Sequence, residues 1–224
     1  MKKLALAAAL FGVFGSAQAA HLTINNQSAL INPFGNYDGQ PLTVTGAETA
    51  GVTGNLVANS AGSITFTYLG QESANRNRFR LDLGNDATLS FVDNNGNSGT
   101  TPLGTAITDA SVGPGIVDFR FVDTSPSGPT QIVRNGSNPN GTNGLAFAFL
   151  GNFDSNGVFQ FDQVSQFGPF DYILGFNDLG NDDDYDDLVV GVKFTPNAVP
   201  VPAALPLMAS ALALFGFGAS RRRL

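Results

Sequence analysis

Residues 63–68, Ser-Ile-Thr-Phe-Thr-Tyr, alternate polar and apolar side chains at every position. Successive side chains of a β-strand point to opposite faces, so this pattern predicts a strand with one buried face. Four other segments carry an aromatic or aliphatic side chain at every second position. Their stripes are Val117/Phe119/Phe121, Leu145/Phe147/Phe149, Phe170/Tyr172/Leu174/Phe176 and Leu188/Val190/Val192/Phe194.

Weaker strand signals and turn-forming clusters lie between these stripes. The weaker strands are predicted at Leu22–Asn25, Leu42–Thr45, Phe79–Leu83 and Thr88–Val92. Residues 93–97, 126–129 and 135–144 are rich in Gly, Asn, Asp and Pro, and 135–144 is the expected long mobile loop. About nine short strands predict an all-β fold, a single antiparallel β-sandwich of jelly-roll type. The phenylalanines would form its core; the alternative is surface rings that stack on sugars.

The predicted domain, residues 20–198, is strongly acidic. Five of the eleven basic residues lie in the two chain ends, which leaves six against eighteen acidic ones and a net charge of −12. A domain without a basic footprint is not expected to bind nucleic acid or anionic lipid. The chain has no Cys, so packing or a metal must supply the stability that disulfides give many exported domains.

The first 19 residues have the organisation of a secretory signal peptide. Lys2 and Lys3 precede an apolar segment at 4–14, and Ala17-Gln18-Ala19 supplies small residues at the −3 and −1 positions. This order predicts cleavage between Ala19 and Ala20. A first transmembrane helix is the alternative, but the apolar segment is too short to span a bilayer.

The last 26 residues, 199–224, have the organisation of a membrane-sorting tail. Pro200-Val201-Pro202 precedes an uncharged apolar run at 203–219, and Arg221, Arg222 and Arg223 follow it. The run has the minimum length of a transmembrane helix, and the arginines should stay on the cytoplasmic side. A buried helix of a soluble domain is the alternative, although such a helix would normally show a polar face.

This order of proline pair, apolar helix and arginine cluster resembles the PEP-CTERM sorting signal of Gram-negative envelope and exopolysaccharide-associated proteins. The same tail is also labelled the C-terminal domain of ice-binding proteins. The resemblance implies that an exosortase-type membrane enzyme recognises the tail and cleaves it near Pro200–Pro202. Val201 stands where the family usually has Glu, which bears on cleavage more than on membrane targeting.

Residues 175–190 hold the densest charge of the domain, with six aspartates between Asp178 and Asp187. Close carboxylates repel unless a cation lies among them, and Ca²⁺ takes six to eight oxygens from flexible loops. The candidate calcium ligands are Asp178, Asp182, Asp184, Asp186 and Asp187. Asp187 is also expected to accept hydrogen bonds from backbone amides. The alternative is a solvated acidic hairpin loop whose aspartates form Asx-turns.

Two segments resemble motifs of secreted bacterial β-domains. Gly180 and residues 182–189 resemble an acidic, Gly-rich loop that runs into Asp-Tyr-Asp-Asp-Leu-Val, and the resemblance implies calcium binding. Residues 68–79 resemble a Tyr-Leu-Gly-Xaa-Glu pattern of the same group. Glu72 is then a distant calcium ligand or an ion-pair partner of a nearby arginine. The alternative is an ordinary connecting loop with balanced surface charge.

Enzyme signatures are scarce in the sequence. His21 is the only His and is expected in a frayed N-terminal segment. With no Cys and one His, a Ser-His-Asp or Cys-His centre and a His/Cys zinc site are not expected. Phosphate-loop and dinucleotide fingerprints are missing. The expected protein is therefore not an enzyme.

The expected function is structural or adhesive, at the cell surface or in an exopolysaccharide matrix. The chain would be exported, anchored in the inner membrane by its C-terminal helix, and released to the surface or matrix if processed. One alternative is a carbohydrate-binding module, with Tyr37, Tyr68 or Tyr185 as the first exposed rings to inspect. A glycan hydrolase that uses paired carboxylates is the other alternative.

Overall fold

A computed structural model describes residues 20–31, 44–45, 50–71, 73, 75–83, 88–92, 101–124, 129–139, 144–153, 159–160, 164–165, 167–178 and 184–198. Within these ranges the protein is all-β, with antiparallel sheets and no helix, as the alternating stripes predict. The strands are β1 (Leu22–Ile31), β2 (Val44–Thr45), β3 (Ala50–Ala58), β4 (Gly62–Gly70), β5 (Asn77–Asp82), β6 (Thr88–Val92), β7 (Ala106–Val112), β8 (Gly115–Ile116), β9 (Phe119–Asp123), β10 (Gln131–Arg134), β11 (Ala146–Phe153), β12 (Phe159–Gln160), β13 (Val164–Ser165), β14 (Gly168–Pro169), β15 (Tyr172–Asn177) and β16 (Leu188–Pro196).

The strands form one large sheet and two smaller ones. The large sheet has the order β1-β3-β11-β15-β16-β4-β7, with β12 beside β11 and β8 beside β3. A four-stranded sheet has the order β10-β9-β5-β6, and a three-stranded sheet has the order β14-β13-β2. The connection from β4 to β5, residues 71–76, carries the chain from the large sheet into the four-stranded one.

The core lies where phenylalanine rings of the large sheet contact rings of the four-stranded sheet. Phe121 on β9 stacks on Phe176 of β15, with ring centroids 4.8 Å apart and planes 7° apart. The ring centroids of Phe66 on β4 and Phe79 on β5 lie 4.7 Å apart. Phe119 contacts Phe147 of β11 at 5.3 Å. Stripes predicted separately from the sequence thus meet in one core, and these rings are almost fully buried.

The opposite face of the large sheet carries a second apolar cluster. It consists of Leu69, Ala146, Ala148, Leu150, Phe170, Ile173, Tyr185 and Val189. The prediction that Phe170 shares a stripe with Leu174 and Phe176 is wrong, because β15 begins only at Tyr172 and the Phe170 ring belongs to this second cluster, where it packs over Gly191. A Cβ at Gly191 would overlap that ring, so the missing side chain makes room for it.

The segment 135–144 was predicted to be a long mobile loop, but its first part, 135–139, is a structured turn. Asn135 accepts a hydrogen bond from Leu56 N at 2.7 Å and donates to Leu56 O at 2.8 Å and to Val117 O at 2.7 Å. Asn138 donates to Phe147 O at 2.7 Å and accepts from Phe147 N at 3.1 Å. Side-chain amides here replace missing strand partners, which is why asparagines inside a polar stretch are buried.

Most predicted strands are present, and seven of the described strands were missed. They are β3, β7 and β10 and the two-residue strands β8, β12, β13 and β14. Of the segment predicted at Leu42–Thr45, only β2, Val44–Thr45, lies inside the described residues.

The two terminal signals, 1–19 and 199–224, lie outside the described residues, as do the predicted turns at 93–97 and at 126–128. In the part of the chain that the structure describes, no helix has the length and apolarity needed to cross a membrane.

Candidate functional site

The two segments singled out in the sequence, 175–190 and 68–79, lie together in the fold. Asp178 directly follows β15, and its contacts come from the connection between β4 and β5. Ser73, Asn75 and Asn77 supply these contacts, and they occupy every second position of the sequence. All three side chains donate to the carboxylate, so the three polar groups face Asp178 together.

Asp178 is the centre of this polar network, although only 2% of its surface is exposed. Its Oδ2 accepts hydrogen bonds from Ser73 Oγ at 2.5 Å and from Asn77 Nδ2 at 2.8 Å. Its Oδ1 accepts from Asn75 Nδ2 at 3.0 Å. A buried carboxylate needs such donors because desolvation otherwise penalises its charge. The network therefore fixes the connection between the two sheets.

Asp187 closes the hairpin from the other side. Its Oδ2 accepts a hydrogen bond from the backbone N of Asp178 at 2.7 Å, as the sequence predicted for this residue. Asn77 also donates to the backbone O of Asp187, at 3.4 Å. Gly175 on β15 leaves room for the backbone of Tyr185, which a Cβ would displace. The segment 184–187 is thereby held against the large sheet, and all four of its side chains are buried.

The predicted calcium ligands are only partly accounted for. Asp178, Asp184, Asp186 and Asp187 are all buried, whereas Asp182 lies outside the described residues. Within the described ranges, no three His, Cys, Asp or Glu side chains form a group suited to a metal ion. The network accounts for Asp178 without a cation, because three neutral donors already occupy its oxygens.

The side-chain carbonyl of Asn77 is one oxygen in this region that remains available. It is buried and accepts no hydrogen bond from the described residues. Amide carbonyl oxygens are among the ligands that Ca²⁺ uses in proteins. The segment 68–79 was singled out in the sequence, but no role was predicted for Ser73, Asn75 or Asn77, although their alternate spacing was a usable signal.

The arginines near this connection do not face Asp178. Arg78 and Arg80 alternate with the buried Asn77, Phe79 and Leu81 along β5, so they project from the outer face of the four-stranded sheet. Glu72, the predicted calcium ligand or ion-pair partner, lies outside the described residues. On that outer face Arg120 Nη2 contacts Asp82 Oδ1 at 2.9 Å, and Arg134 Nη1 lies 3.6 Å from Asp82 Oδ2.

The rings suggested for sugar stacking are not on the surface. Tyr68 is 4% exposed and Tyr185 is 2% exposed, so neither ring faces solvent as the carbohydrate-binding alternative would require. Each packs into one of the two apolar clusters. Tyr37 lies outside the described residues.

His21 is held in place, in contrast to the frayed segment predicted for it. Its ring stacks on Phe194 with centroids 6.1 Å apart, and its Nδ1 lies 2.9 Å from Ser60 Oγ. His21 and Phe194 line an open pocket of about 260 Å³. The other residues of its lining are Ala20, Leu22, Asp171 and Tyr172. His21 is thus a packing residue at the start of β1.

Tyr172, in the same pocket, has a pKa raised above the ordinary 10.0, first by burial and then by the negative charge of Asp171. Its hydroxyl donates to the backbone O of Leu22 at 3.2 Å. The folded-state pKa of Tyr172 exceeds the unfolded-state pKa. The contribution of the protonated Tyr172 hydroxyl to the free energy of unfolding is therefore complete below about pH 10 and is lost as the pH rises through the folded-state pKa.

We therefore expect Tyr172→Phe to make the free energy of unfolding less dependent on pH above about pH 10. At neutral pH the variant should lose about 1 kcal/mol, since one hydrogen bond is removed. Urea unfolding at neutral and alkaline pH measures both effects. Equal alkaline losses in wild type and variant would contradict the assignment.

Both ends of the described domain lie at one pole. Asn59 donates through Nδ2 to the backbone O of Ala20 at 2.8 Å, and Asn197 N donates to Ala61 O at 3.0 Å. The turn between β3 and β4 therefore contacts the first and the last residues of the domain. Ala20 is exposed and precedes β1, so cleavage before it would spare every strand. Asp178 and Asp187 lie at the other end of β16.

No protein-family model, no curated protein and no solved structure matches the chain.

Proposed function

We propose that the chain is an exported structural or adhesive protein of the cell surface or exopolysaccharide matrix. Residues 1–19 direct export and residues 199–224 sort the product at the inner membrane. The observation that carries the proposal is the shared pole of Ala20 and Asn197. A domain whose two ends leave from one pole presents its other surfaces away from the membrane that holds its tail.

The domain itself is a jelly-roll-like β-sandwich in this proposal. Contacts between the rings of the large and four-stranded sheets support two packed layers. Its role is non-catalytic. The buried hydrogen bonds of Asp178 support this, because they give its carboxylate a stabilising role at the crossover.

An exosortase-type enzyme is the proposed processing partner, and it acts near Pro200, Val201 and Pro202. The apolar run at 203–219 places the tail in the membrane, and Arg221, Arg222 and Arg223 keep its end on the cytoplasmic side. Processing would release the domain from the inner membrane to the surface or matrix.

Deletion of residues 199–224 tests the sorting role. We expect the full-length chain in the membrane fraction or, after processing, in the matrix. The truncated chain should instead be soluble in the exported fraction, because it keeps the signal peptide. A variant with Arg221, Arg222 and Arg223 changed to Gln keeps the apolar run at 203–219 but lacks the arginine cluster. It therefore separates the effect of helix insertion from the effect of sorting. The proposal is wrong if the truncated and full-length chains share one location and the same processing.

Calcium is the proposed stabilising ion, with Asp182, Asp184 and Asp186 as ligands and Asn77 Oδ1 as an additional oxygen. If the dissociation constant is about 10⁻⁴–10⁻³ M, as in extracellular modules, 10 mM Ca²⁺ should add about 1.4–2.7 kcal/mol to the free energy of unfolding. For a domain of this size the melting temperature should rise by roughly 3–10 °C.

Thermal melts with Ca²⁺, Mg²⁺ and a chelator measure this rise. Asp186→Asn should abolish it, whereas Asp118→Asn, at an exposed position on the four-stranded sheet side, should retain it. No shift at 10 mM Ca²⁺ would remove calcium from the proposal.

A further inference from the structure

The outer face of the four-stranded sheet concentrates the positive charge of an acidic domain. Arg134 on β10 lies directly opposite Arg120 on β9, and Arg120 lies directly opposite Arg80 on β5. Arg78 lies two residues before Arg80 on the same strand. Directly opposite residues share a face, so this arginine face carries four of the six basic residues of the domain.

The acidic residues near the arginine face neutralise only part of its charge. Asp82 pairs with Arg120 and, at longer distance, with Arg134. The Nε atoms of Arg78, Arg80 and Arg120 are buried and have no hydrogen-bond partner among the described residues. Arg78 and Arg80 form no ion pair with a described residue, in contrast to Arg120 and Arg134, so their terminal guanidinium nitrogens are the groups left for a ligand.

Placing like charges directly opposite one another costs stability in a sheet. In a domain with a net charge of −12, random placement of six basic residues would not favour such a row. A cost that folding does not require is typical of a binding surface, where an anionic partner would relieve the repulsion.

We propose that the arginine face binds an acidic polysaccharide through its carboxylate groups. The guanidinium fork matches a carboxylate in a bidentate manner, and the strand spacing of about 4.8 Å sets successive arginines in line across the sheet. A polymer with one carboxylate per sugar ring can lie across the strands and meet each arginine in turn. Ile132, 47% exposed beside this row, offers apolar contact to a ring face.

Other polyanions fit this face less well. Single-stranded nucleic acid binds through aromatic rings on which bases stack, and the positions that β5, β9 and β10 contribute to this face are Arg, Asp, Val and Ile. A planar anionic bilayer would also bring its charge against the acidic remainder of the domain, whereas a single polymer chain can lie along the arginine face alone.

The inference deepens the proposed matrix function and rests on it for the polymer's location. Its test is nevertheless a binding measurement on the purified full chain, kept in a neutral detergent. Polygalacturonate is the probe, with neutral dextran, single-stranded poly(dT) and phosphatidylglycerol vesicles as comparators. Binding to polygalacturonate that weakens above about 0.1 M salt is the expected result, because exposed charges are screened there.

Arg80→Gln and Arg134→Gln test the residues. We expect each to lower the affinity for polygalacturonate about tenfold, and the double variant about a hundredfold. Lys193→Gln removes the same charge from β16 of the large sheet and should leave the affinity unchanged. Because like charges repel in the row, Arg80→Gln should not lower the melting temperature.

Several outcomes would overturn the inference. Equal loss of affinity in Arg80→Gln and Lys193→Gln would mean that net charge alone governs binding. Stronger binding to poly(dT) or to the vesicles would assign the face to another partner. Absence of polygalacturonate binding at low salt would refute the binding site but not the exported location. A cytoplasmic location of the protein would refute the exported location but not the binding site.

Discussion

Replacing Asp178 with Ala should lower the free energy of unfolding by about 3–5 kcal/mol. The substitution removes the acceptor of Ser73 Oγ, Asn75 Nδ2 and Asn77 Nδ2, and two of these donors belong to buried residues that water does not reach. Hydrogen bonds to a charged acceptor are stronger than neutral ones, and unsatisfied buried donors add their desolvation cost. For a domain of this size the melting temperature should fall by roughly 6–20 °C.

Matched variants separate this effect from the general loss of an aspartate. Asp118→Ala makes the same change at an exposed position and should alter stability by no more than about 0.5 kcal/mol. A double-mutant cycle between Asp178→Ala and Asn77→Ala should give a coupling energy of about 1–3 kcal/mol, since the two side chains contact each other. A coupling energy near zero, or a cost of Asp178→Ala equal to that of Asp118→Ala, would refute the network.

Phe121→Ala should also cost about 3–5 kcal/mol, for a different reason. The ring stacks on Phe176 across the two sheets and contacts Phe79 at 5.2 Å and Phe147 at 5.6 Å. Removing it leaves a cavity between the layers and breaks contacts that no neighbour replaces. Chemical denaturation with fluorescence or circular dichroism measures the loss.

The matched control is Phe167→Ala, the same change at a ring that is 37% exposed and packs on Gly104. Its cost should be about 1 kcal/mol because less apolar surface is removed from contact. If both phenylalanine variants lose the same stability, the two sheets do not share the core described for them.

Strands that carry a large apolar side chain at every second position could be predicted from the sequence, because that spacing places the large side chains on one face. β4, β11 and β16 are of this kind, although residues of their opposite faces are also buried, in the second apolar cluster. β3 was missed because Gly51, Gly54 and Asn55 interrupt its apolar residues, although it lies between β1 and β11. Gly54 has φ +152 and faces Ile24 and Asn25 at an irregular point of the β1–β3 pairing, a contact that no local pattern reveals.

β7 was missed because few of its side chains are buried. It is an edge strand of the large sheet, and most of its side chains are exposed or half-buried, so no apolar stripe marks it. The alternation rule detects the burial of one face, and an edge strand without burial leaves no such signal.

The acidic segment shows how much of the candidate site could be predicted from the sequence. Its aspartates were visible in the sequence, and Asp187 was correctly expected to accept a backbone hydrogen bond. The partners of Asp178 lie about a hundred residues earlier in the chain, and only the order of strands brings them together. The arginine face was missed likewise, because Arg80, Arg120 and Arg134 align only through the registers of β5, β9 and β10.

The central claim is that the domain lies outside the cytoplasm, and Lys193 offers a direct test. Besides Lys2 and Lys3 it is the one lysine of the sequence, and 46% of its side chain is exposed. Intact cells are treated with an amine reagent that does not cross the inner membrane, and the protein is then weighed by mass spectrometry. The account predicts a chain that begins at Ala20 and is labelled at its new α-amino group and at Lys193. A chain that keeps Lys2 and Lys3 and is labelled only after lysis would contradict it.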